Sequence, residues 1–308
     1  ASLNAIGESL SFDGDDYVTI PASALNGFSA FSFSAWFYPN GDQSGYSHII
    51  MQDDAGAGND LFYIRYKNGM STFQVQLDAS RGGNGSGTSI DLTPSVPSKN
   101  TWHHIVFTYD GTTSTVYIDG SSGGSSTSTS GNYNSTSAIT IGNEGTDKGF
   151  KGYLDEIATW NDALTSSEIT ALYNSSVALD AKSNSGNYTS SANLKGYWKM
   201  EEGTGTTLTD LSGNGNNGTI SGATWATGKK SSSYTNTAKD ITGPTVTFSP
   251  ANGASGVAVD RNITITFNEA VQKIDDSALS DSNVDALITL KTTNASGSDI
   301  AFEATFSG

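Results

Sequence analysis

The chain has no cysteine among its 308 residues. Disulfides and thiolate metal sites are excluded, and the redox compartment cannot be read from cysteine usage. Basic residues are scarce: 15 Lys and Arg stand against 31 Asp and Glu, a formal charge of −16. Phosphate binding needs clustered Lys and Arg, so this balance speaks against nucleic acid as a partner. It favours cations, and in an extracellular setting a bound metal would take the stabilising place of disulfides. No apolar run is long enough to span a membrane, which argues against membrane insertion. No signal peptide is visible; Ala1 either follows a cleaved one or lies inside a longer chain. Helix-favouring runs of Ala, Leu, Glu and Lys are nearly missing as well.

What is present is Gly, Ser, Thr and Asn, the composition of short strands joined by many turns. The fold class is all-β, with antiparallel sandwich layers. SLSFDGDDYVTI (9–20) reads as strand, Asp-Gly turn, strand. FSFSAWFYP (31–39) alternates Phe31, Phe33 and Ala35 against Ser32, Ser34 and Trp36, and Pro39 stops it. HIIMQ (48–52), LFYIRYKNG (61–69) and STFQVQLD (71–78) are further strands, the last two paired across Asn68-Gly69. TWHHIVFTYDGTTSTVYIDG (101–120) is a hairpin whose first strand has apolar bulk on both faces. The Ser/Gly/Thr-rich stretch after it reads as a flexible excursion. AITIGN (138–143) and FKGYLDEIATW (150–160) follow as strands. Thr165 to Glu168 is a capping box opening a short helix, with Leu164 placed to staple against Ile169. Several Asn-x-Ser/Thr sequons are by-products of this composition.

The run "Trp-His-His, apolar strand, Tyr-Asp-Gly, Val-Tyr-Ile-Asp-Gly" resembles the laminin G-like and pentraxin-like group of concanavalin A-type sandwiches. So does the closing phrase LDEIATWNDALTSSEITALYN. The resemblance covers residues 9 to about 174 and implies a jelly-roll sandwich of a group made mostly of binding modules. LKGYWKMEEGTGTTLTDLSGNGNNGTISGATW (194–225) resembles strands that open such a domain, yet here it comes last. Either the domain is circularly permuted, so that 194–225 completes it, or these strands begin a second domain or serve a neighbouring copy. Permutation is the preferred reading, with residues 1–230 as one sandwich and 231–243 as a polar linker. GPTVTFSPANGASGVAVDRNITITFNEAV, through Pro244, Val246, Ser249, Pro250, Gly253, Phe267, Glu269 and Val271, resembles the immunoglobulin-like repeats of bacterial surface proteins. Such a sandwich takes about 100 residues, so 244–308 is expected to be a partial one.

Calcium is the cofactor these sequences suggest, because hard cations take several oxygen ligands from loops. Asp53, Asp54, Asn59 and Asp60 sit in one inter-strand loop; Asn143, Glu144 and Asp147 sit in another. In pentraxin-like relatives, an acidic pair before the strand equivalent to LFYIRY and an acidic loop before the strand equivalent to GYLDEI jointly hold calcium on the ligand side; Asn59, Asp60, Glu144 and Asp147 fall at those places. Read without the resemblance, they are solvated turn residues of an acidic protein. A second set, Asp210, Asn214, Asn216 and Asn217 with Asp155, is either a structural metal site or a turn held by Asx side chains. Asp13, Asp15 and Asp16 are expected to brace their own turn. Sugar stacking needs an exposed aromatic beside polar groups; Tyr46, Tyr63, Tyr133 and Phe150 lie in or next to these loops. Trp36, Trp102, Trp160 and Trp198 have apolar neighbours and are assigned to the core.

Catalysis finds little support. No Glu-x-Asp-x-x-Glu run supplies paired carboxylates. Asp155-Glu156 and Glu201-Glu202 are adjacent, as are His103 and His104, so on strands they diverge; His48 stands isolated. No nucleophile-elbow or phosphate-loop motif is present. The expected function is a non-catalytic, calcium-dependent carbohydrate-binding or adhesion module of a bacterial surface or secreted protein, with a glycan or glycoprotein partner. A structural unit of a stalk or filament that joins neighbouring copies is one alternative. A binding module of a polysaccharide-degrading enzyme is the other.

Overall fold

The computed structural model describes residues 7–43, 45–53, 60–78, 90–127, 131–142, 149–229, 246–251, 254–256, 262–267, 290–291 and 298–300. The chain divides into a unit spanning Asn4–Thr235 and a second carrying Asn236–Gly308.

The first unit is built from two antiparallel sheets. In chain order its strands are β1 (Glu8–Asp13), β2 (Tyr17–Ile20), β3 (Phe31–Pro39), β4 (Tyr46–Asp53), β5 (Asp60–Lys67), β6 (Thr72–Leu77), β7 (Ile90–Leu92), β8 (His103–Tyr109), β9 (Ser114–Ile118) and β10 (Ser121–Ser126). Then come β11 (Ile139–Ile141), β12 (Lys151–Trp160), helix α1 (Ser166–Tyr173), β13 (Leu194–Trp198), β14 (Thr207–Leu208), β15 (Gly218–Ser221) and β16 (Thr224–Thr227). The first sheet has the order β10-β9-β8-β3-β12-β1-β16. Strand β12 divides its other edge: Lys151 to Leu154 pair with β1, and Ile157 to Trp160 pair with β13. The division falls at Asp155-Glu156, where Glu156 takes a left-handed φ of 49°. The second sheet has the order β14-β15-β2-β11-β4-β5-β6-β7. The late segment thus contributes strands to both sheets: β13 and β16 to the first, β14 and β15 to the second.

Alternation along each strand decides what faces inward. Phe31, Phe33, Ala35 and Phe37 of β3 meet Phe62, Ile64, Tyr66, Phe73 and Val75 of the second sheet in one buried cluster. Trp198 closes it from β13, its indole N–H donating to the Asn216 carbonyl at 2.9 Å.

The outward side of the first sheet has its own cover. Thr165 caps α1, accepting from Glu168 N, while the Glu168 carboxylate accepts from Thr165 N at 3.0 Å. Leu164, Ile169, Leu172, Ala181 and Tyr188 then pack on Val106, Ala158, Trp160 and Tyr197. Beyond this cover, Tyr173 stacks on Trp36 and Lys229 Nζ lies 4.5 Å over the same indole. The stretch expected to be a flexible excursion begins as strand: Ser121–Ser126 pairs with β9 through a bulge at Gly123. Its backbone finds hydrogen-bond partners on an open sheet edge, which its composition does not reveal.

In the second unit, β17 (Val246–Ser249) pairs with β18 (Thr264–Phe267), and β19 (Leu290–Lys291) pairs with β20 (Asp299–Ile300). The polar linker 231–243 lies outside the described residues.

Candidate functional site

The outward face of the second sheet carries an unusual set of side chains. Val18, Ile141, Ile50, Ile64 and Val75 are register partners that point into the core. The neighbouring row points the other way: Thr219, Thr19, Thr140, Met51, Tyr63 and Gln76. A second outward row is His48, Arg65 and Gln74, and a third is Tyr46, Lys67 and Thr72.

Arg65 organises this face. Its Nε and Nη2 both donate to Gln74 Oε1, at 3.0 and 2.9 Å, and Nη2 also donates to the Tyr63 hydroxyl at 2.9 Å. Nη1 lies 3.3 Å from His48 Nε2, which therefore acts as the acceptor nitrogen. The guanidinium carbon sits 3.8 Å from the Tyr63 ring centre and 4.4 Å from that of Tyr46. His48, Tyr63 and Gln74 are buried, whereas Tyr46 is 38% exposed. A cation held between two rings and fixed by a side-chain amide is already ordered before any ligand arrives. One aromatic ring, that of Tyr46, remains open beside it.

The aromatic residues singled out in the sequence separate on this geometry. Tyr46 and Tyr63 join the Arg65 cluster. Tyr63, at 2% exposure, cannot offer a ring face to a sugar. Tyr133 and Phe150 are core residues at 0% exposure, which corrects their assignment as stacking residues. The Tyr133 hydroxyl donates to Gln52 Oε1 at 2.7 Å, so a loop aromatic turns inward because its polar tip finds a buried acceptor. His48 is corrected too, from isolated to a partner of Arg65. Arg65, Gln74 and His48 were legible only as alternating polar residues on presumed strands.

The described flanks of the two acidic loops lie at the margins of this face. Register places Asp53 opposite Asp60 where β4 and β5 meet the first loop. Asp54, Asn59, Asn143, Glu144 and Asp147 lie outside the described residues. The described flanks of the second loop are elsewhere along β4: Gly142 N donates to Ile49 O, and Gly149 bridges His48. Four residues of extended chain separate Ile49 from Asp53, roughly 13 Å. Ligands of a single calcium ion lie within about 2.6 Å of it, so a shared ion needs the loops themselves to cross that gap.

The second metal candidate resolves into a hydrogen-bond knot. Asp210 Oδ1 accepts from Tyr197 N at 3.0 Å and Ser212 N at 2.8 Å; Oδ2 accepts from Ser212 Oγ and Asn216 N, both at 2.9 Å. Asn217 Oδ1 accepts from Asp210 N at 2.9 Å, and Asn214 Nδ2 donates to Leu194 O at 2.9 Å. Asp210 has spent its lone pairs on protein donors, so these residues do not fit a metal; they anchor β13 to the turn before β15. Asp155 shares none of these partners. Its carboxylate accepts from Glu156 N at 2.8 Å and Lys229 N at 2.7 Å, and burial, with Glu156 beside it, pushes its pKa well up. Asp13, Asp15 and Asp16 do brace their turn, Asp13 N donating to Asp16 Oδ2 at 2.9 Å. Among the described residues they are the one grouping of three acids whose oxygens approach within 4.8 Å.

Trp102 departs from its core assignment. It lies on the outward face of the first sheet, half-buried, its ring centre 5.7 Å from Tyr38 and 6.4 Å from Tyr153. His103 points to the opposite face, its Nδ1 paired with Asp119 Oδ2 at 2.7 Å. His104 is fully buried with its Nε2 2.7 Å from Ser34 Oγ; burial lowers its pKa to about 3 and keeps it neutral.

No curated protein matches the chain. Among solved structures, a candidate carbohydrate binding protein from Bacteroides ovatus shares 18% identity and superposes with a TM-score of 0.51, over 72% of this chain and 60% of its own. The chain thus spans 60% of the length of that protein, and at this identity the likeness is one of fold. A heptameric SAP-like pentraxin from Limulus polyphemus gives 18% identity and a TM-score of 0.43, over 56% of this chain and 83% of that one. Domain 4 of AbnA, an extracellular arabinanase of Geobacillus stearothermophilus solved with arabinotriose, gives 21% and 0.44, over 56% and 79%. Residues 240–307 match the bacterial Ig-like domain. Residues 12–170, half of the sequence, match the concanavalin A-like lectin/glucanases superfamily, and the chain belongs to that superfamily.

Proposed function

We propose that the first unit is a non-catalytic carbohydrate-binding module of a secreted or surface-exposed bacterial protein. Its glycan site is the outward face of β4, β5 and β6. The observation that carries this reading is the Arg65 cluster: a guanidinium fixed between Tyr46 and Tyr63, beside the exposed ring of Tyr46. Superfamily membership and the bacterial Ig-like match support it, as does the carbohydrate binding named for the Bacteroides ovatus structure. A sugar ring stacks on Tyr46, and Lys67 and Thr72 in the same row offer polar contacts.

Calcium belongs to this proposal. Asp53 and Asp60, with Asp54, Asn59, Asn143, Glu144 and Asp147, would supply the oxygens of the site. The test is a glycan array run in calcium and in chelator, with Tyr46→Ala as comparison. Binding that calcium strengthens and Tyr46→Ala weakens is the expected result. Absence of any glycan ligand in either condition overturns the reading. A ligand bound equally in chelator removes the calcium part alone.

A further inference from the structure

The outward face of the first sheet is covered in rows, and one row is left open. Trp160, Ser32 and Thr108 form one row across β12, β3 and β8; Ala158, Ser34 and Val106 form the next; Asp155, Trp36 and His104 form a third. The first two lie under α1 and the chain that follows it, and the third lies under Tyr173 and Lys229. In the fourth row, Ser11 opposes Tyr153 and Tyr153 opposes Tyr38, with Trp102 next to Tyr38. Tyr38, Trp102 and Tyr153 are each half-buried. Tyr38 meets Trp102 and Tyr153 edge-on, at 5.7 and 5.5 Å between ring centres.

The polar tips of these rings set them apart from the core aromatics. Tyr66, Tyr109, Tyr133, Tyr188 and Tyr197 all spend their hydroxyls inside the protein. Trp160 and Trp198 spend their indole N–H groups the same way. Among the described residues, Tyr38 Oη, Tyr153 Oη and Trp102 Nε1 make no such bond. The row therefore presents apolar ring surface and unused hydrogen-bonding groups together, the mixture that a sugar's C–H face and hydroxyls complement. It carries no formal charge, in a chain of −16, which suits a neutral sugar and disfavours an anionic one.

We infer that Tyr38, Trp102 and Tyr153 form a second glycan contact, for neutral sugar units, on the sheet opposite the Arg65 face. This rests on the carbohydrate-binding reading. Its particular consequence is that a single copy has two glycan-contacting faces pointing away from one another. One strand of polysaccharide does not reach both without wrapping the unit, so a monomer joins separate strands.

The test is affinity electrophoresis of the full chain in gels of neutral polysaccharides, with Trp102→Ala, Tyr46→Ala and both together, alongside sedimentation of each. Trp102→Ala is expected to weaken retardation about tenfold, as loss of a central aromatic does at binding surfaces, and to abolish polysaccharide precipitation by the monomer. Tyr153→Phe, which removes only a hydroxyl, keeps the test valid should Trp102→Ala unfold; it is expected to weaken retardation more mildly. Retardation lost in Tyr46→Ala but unchanged in Trp102→Ala and Tyr153→Phe overturns the second contact and leaves the first. No retardation of the parent chain by any glycan sinks both. A self-association that Trp102→Ala abolishes assigns the row to a second copy of the chain and overturns the glycan assignment.

Discussion

Arg65 lies over the ring of Tyr63 at 3.8 Å and donates to the hydroxyl of that same residue at 2.9 Å. One side chain thus fixes both the plane and the polar tip of its neighbour.

Replacing Arg65 is therefore expected to act through order as much as through charge. Arg65→Ala removes the donors to Gln74 and Tyr63 and costs roughly 1–3 kcal/mol of stability. Arg65→Lys does not restore binding, because a point ammonium cannot hold Gln74 through two donors while stacking on two rings. Tyr46→Ala, at an exposed position, should remove glycan binding at the Arg65 face with the melting temperature nearly unchanged. Calorimetry of ligand binding and of unfolding separates the two effects.

Asp210→Ala should be among the most destabilising single changes in the unit, at roughly 2–4 kcal/mol. It deprives the Tyr197, Ser212 and Asn216 amides of their acceptor. Because the knot is closed without a metal, the loss should be the same in calcium and in chelator. A melting shift on chelation that Asp210→Ala removes would show a cation there after all.

The acids near the division of β12 set a pH dependence. Burial raises Glu201 from 4.5 to about 7, and Asp155 is raised by burial as well. A carboxyl whose folded pKa is raised gives stability that is complete below its unfolded value and fades as pH rises through the folded one. Stability should therefore decline from about pH 4.5 to about pH 7. Glu201→Gln should flatten that slope in melts taken across the range; an unchanged slope would rule Glu201 out as its source.

The cap of α1 makes the opposite prediction at lower pH. Glu168 accepts from Thr165, Thr189 and Ser190, and these bonds hold its pKa down despite burial. Its contribution is present above the ordinary carboxylate value of 4.5 and is lost as pH falls through its lowered value. Thr165→Ala should cost about 1 kcal/mol. Glu168→Ala should cost more, since it also releases the segment at Thr189. Urea titrations of both variants and their double mutant would measure the coupling.

Much of the scaffold could be read from residue order alone, because strands announce themselves through alternation and Asp-Gly turns. The Thr101 hairpin, the Phe31 strand and the Thr165 cap are local patterns with local causes. The site was harder, for reasons that are not local. Arg65, His48 and Gln74 belong to three strands, and only register brings them into one row. Trp102 has apolar neighbours, but whether its face is covered depends on where α1 and Lys229 stop. Tyr133 and Phe150 sit in polar stretches that look exposed, yet their rings turn inward. The Asp210 loop has the composition of a ligand loop and of an Asx turn alike; which donors converge on the carboxylate decides between them.

The edge formed by β1 and β16 bears on how the unit responds to load. Gly228 N donates to Gly7 O at 2.7 Å, and Glu8 is paired with Thr227, so the chain arrives and departs at the same end of one antiparallel ribbon. Tension applied through the flanking segments runs along the ladder's hydrogen bonds, not along its strands. Those bonds then bear force one after another, beginning at Gly7, and the ribbon peels. Under stretch, this seam between the first and last strands is where the sandwich should begin to open.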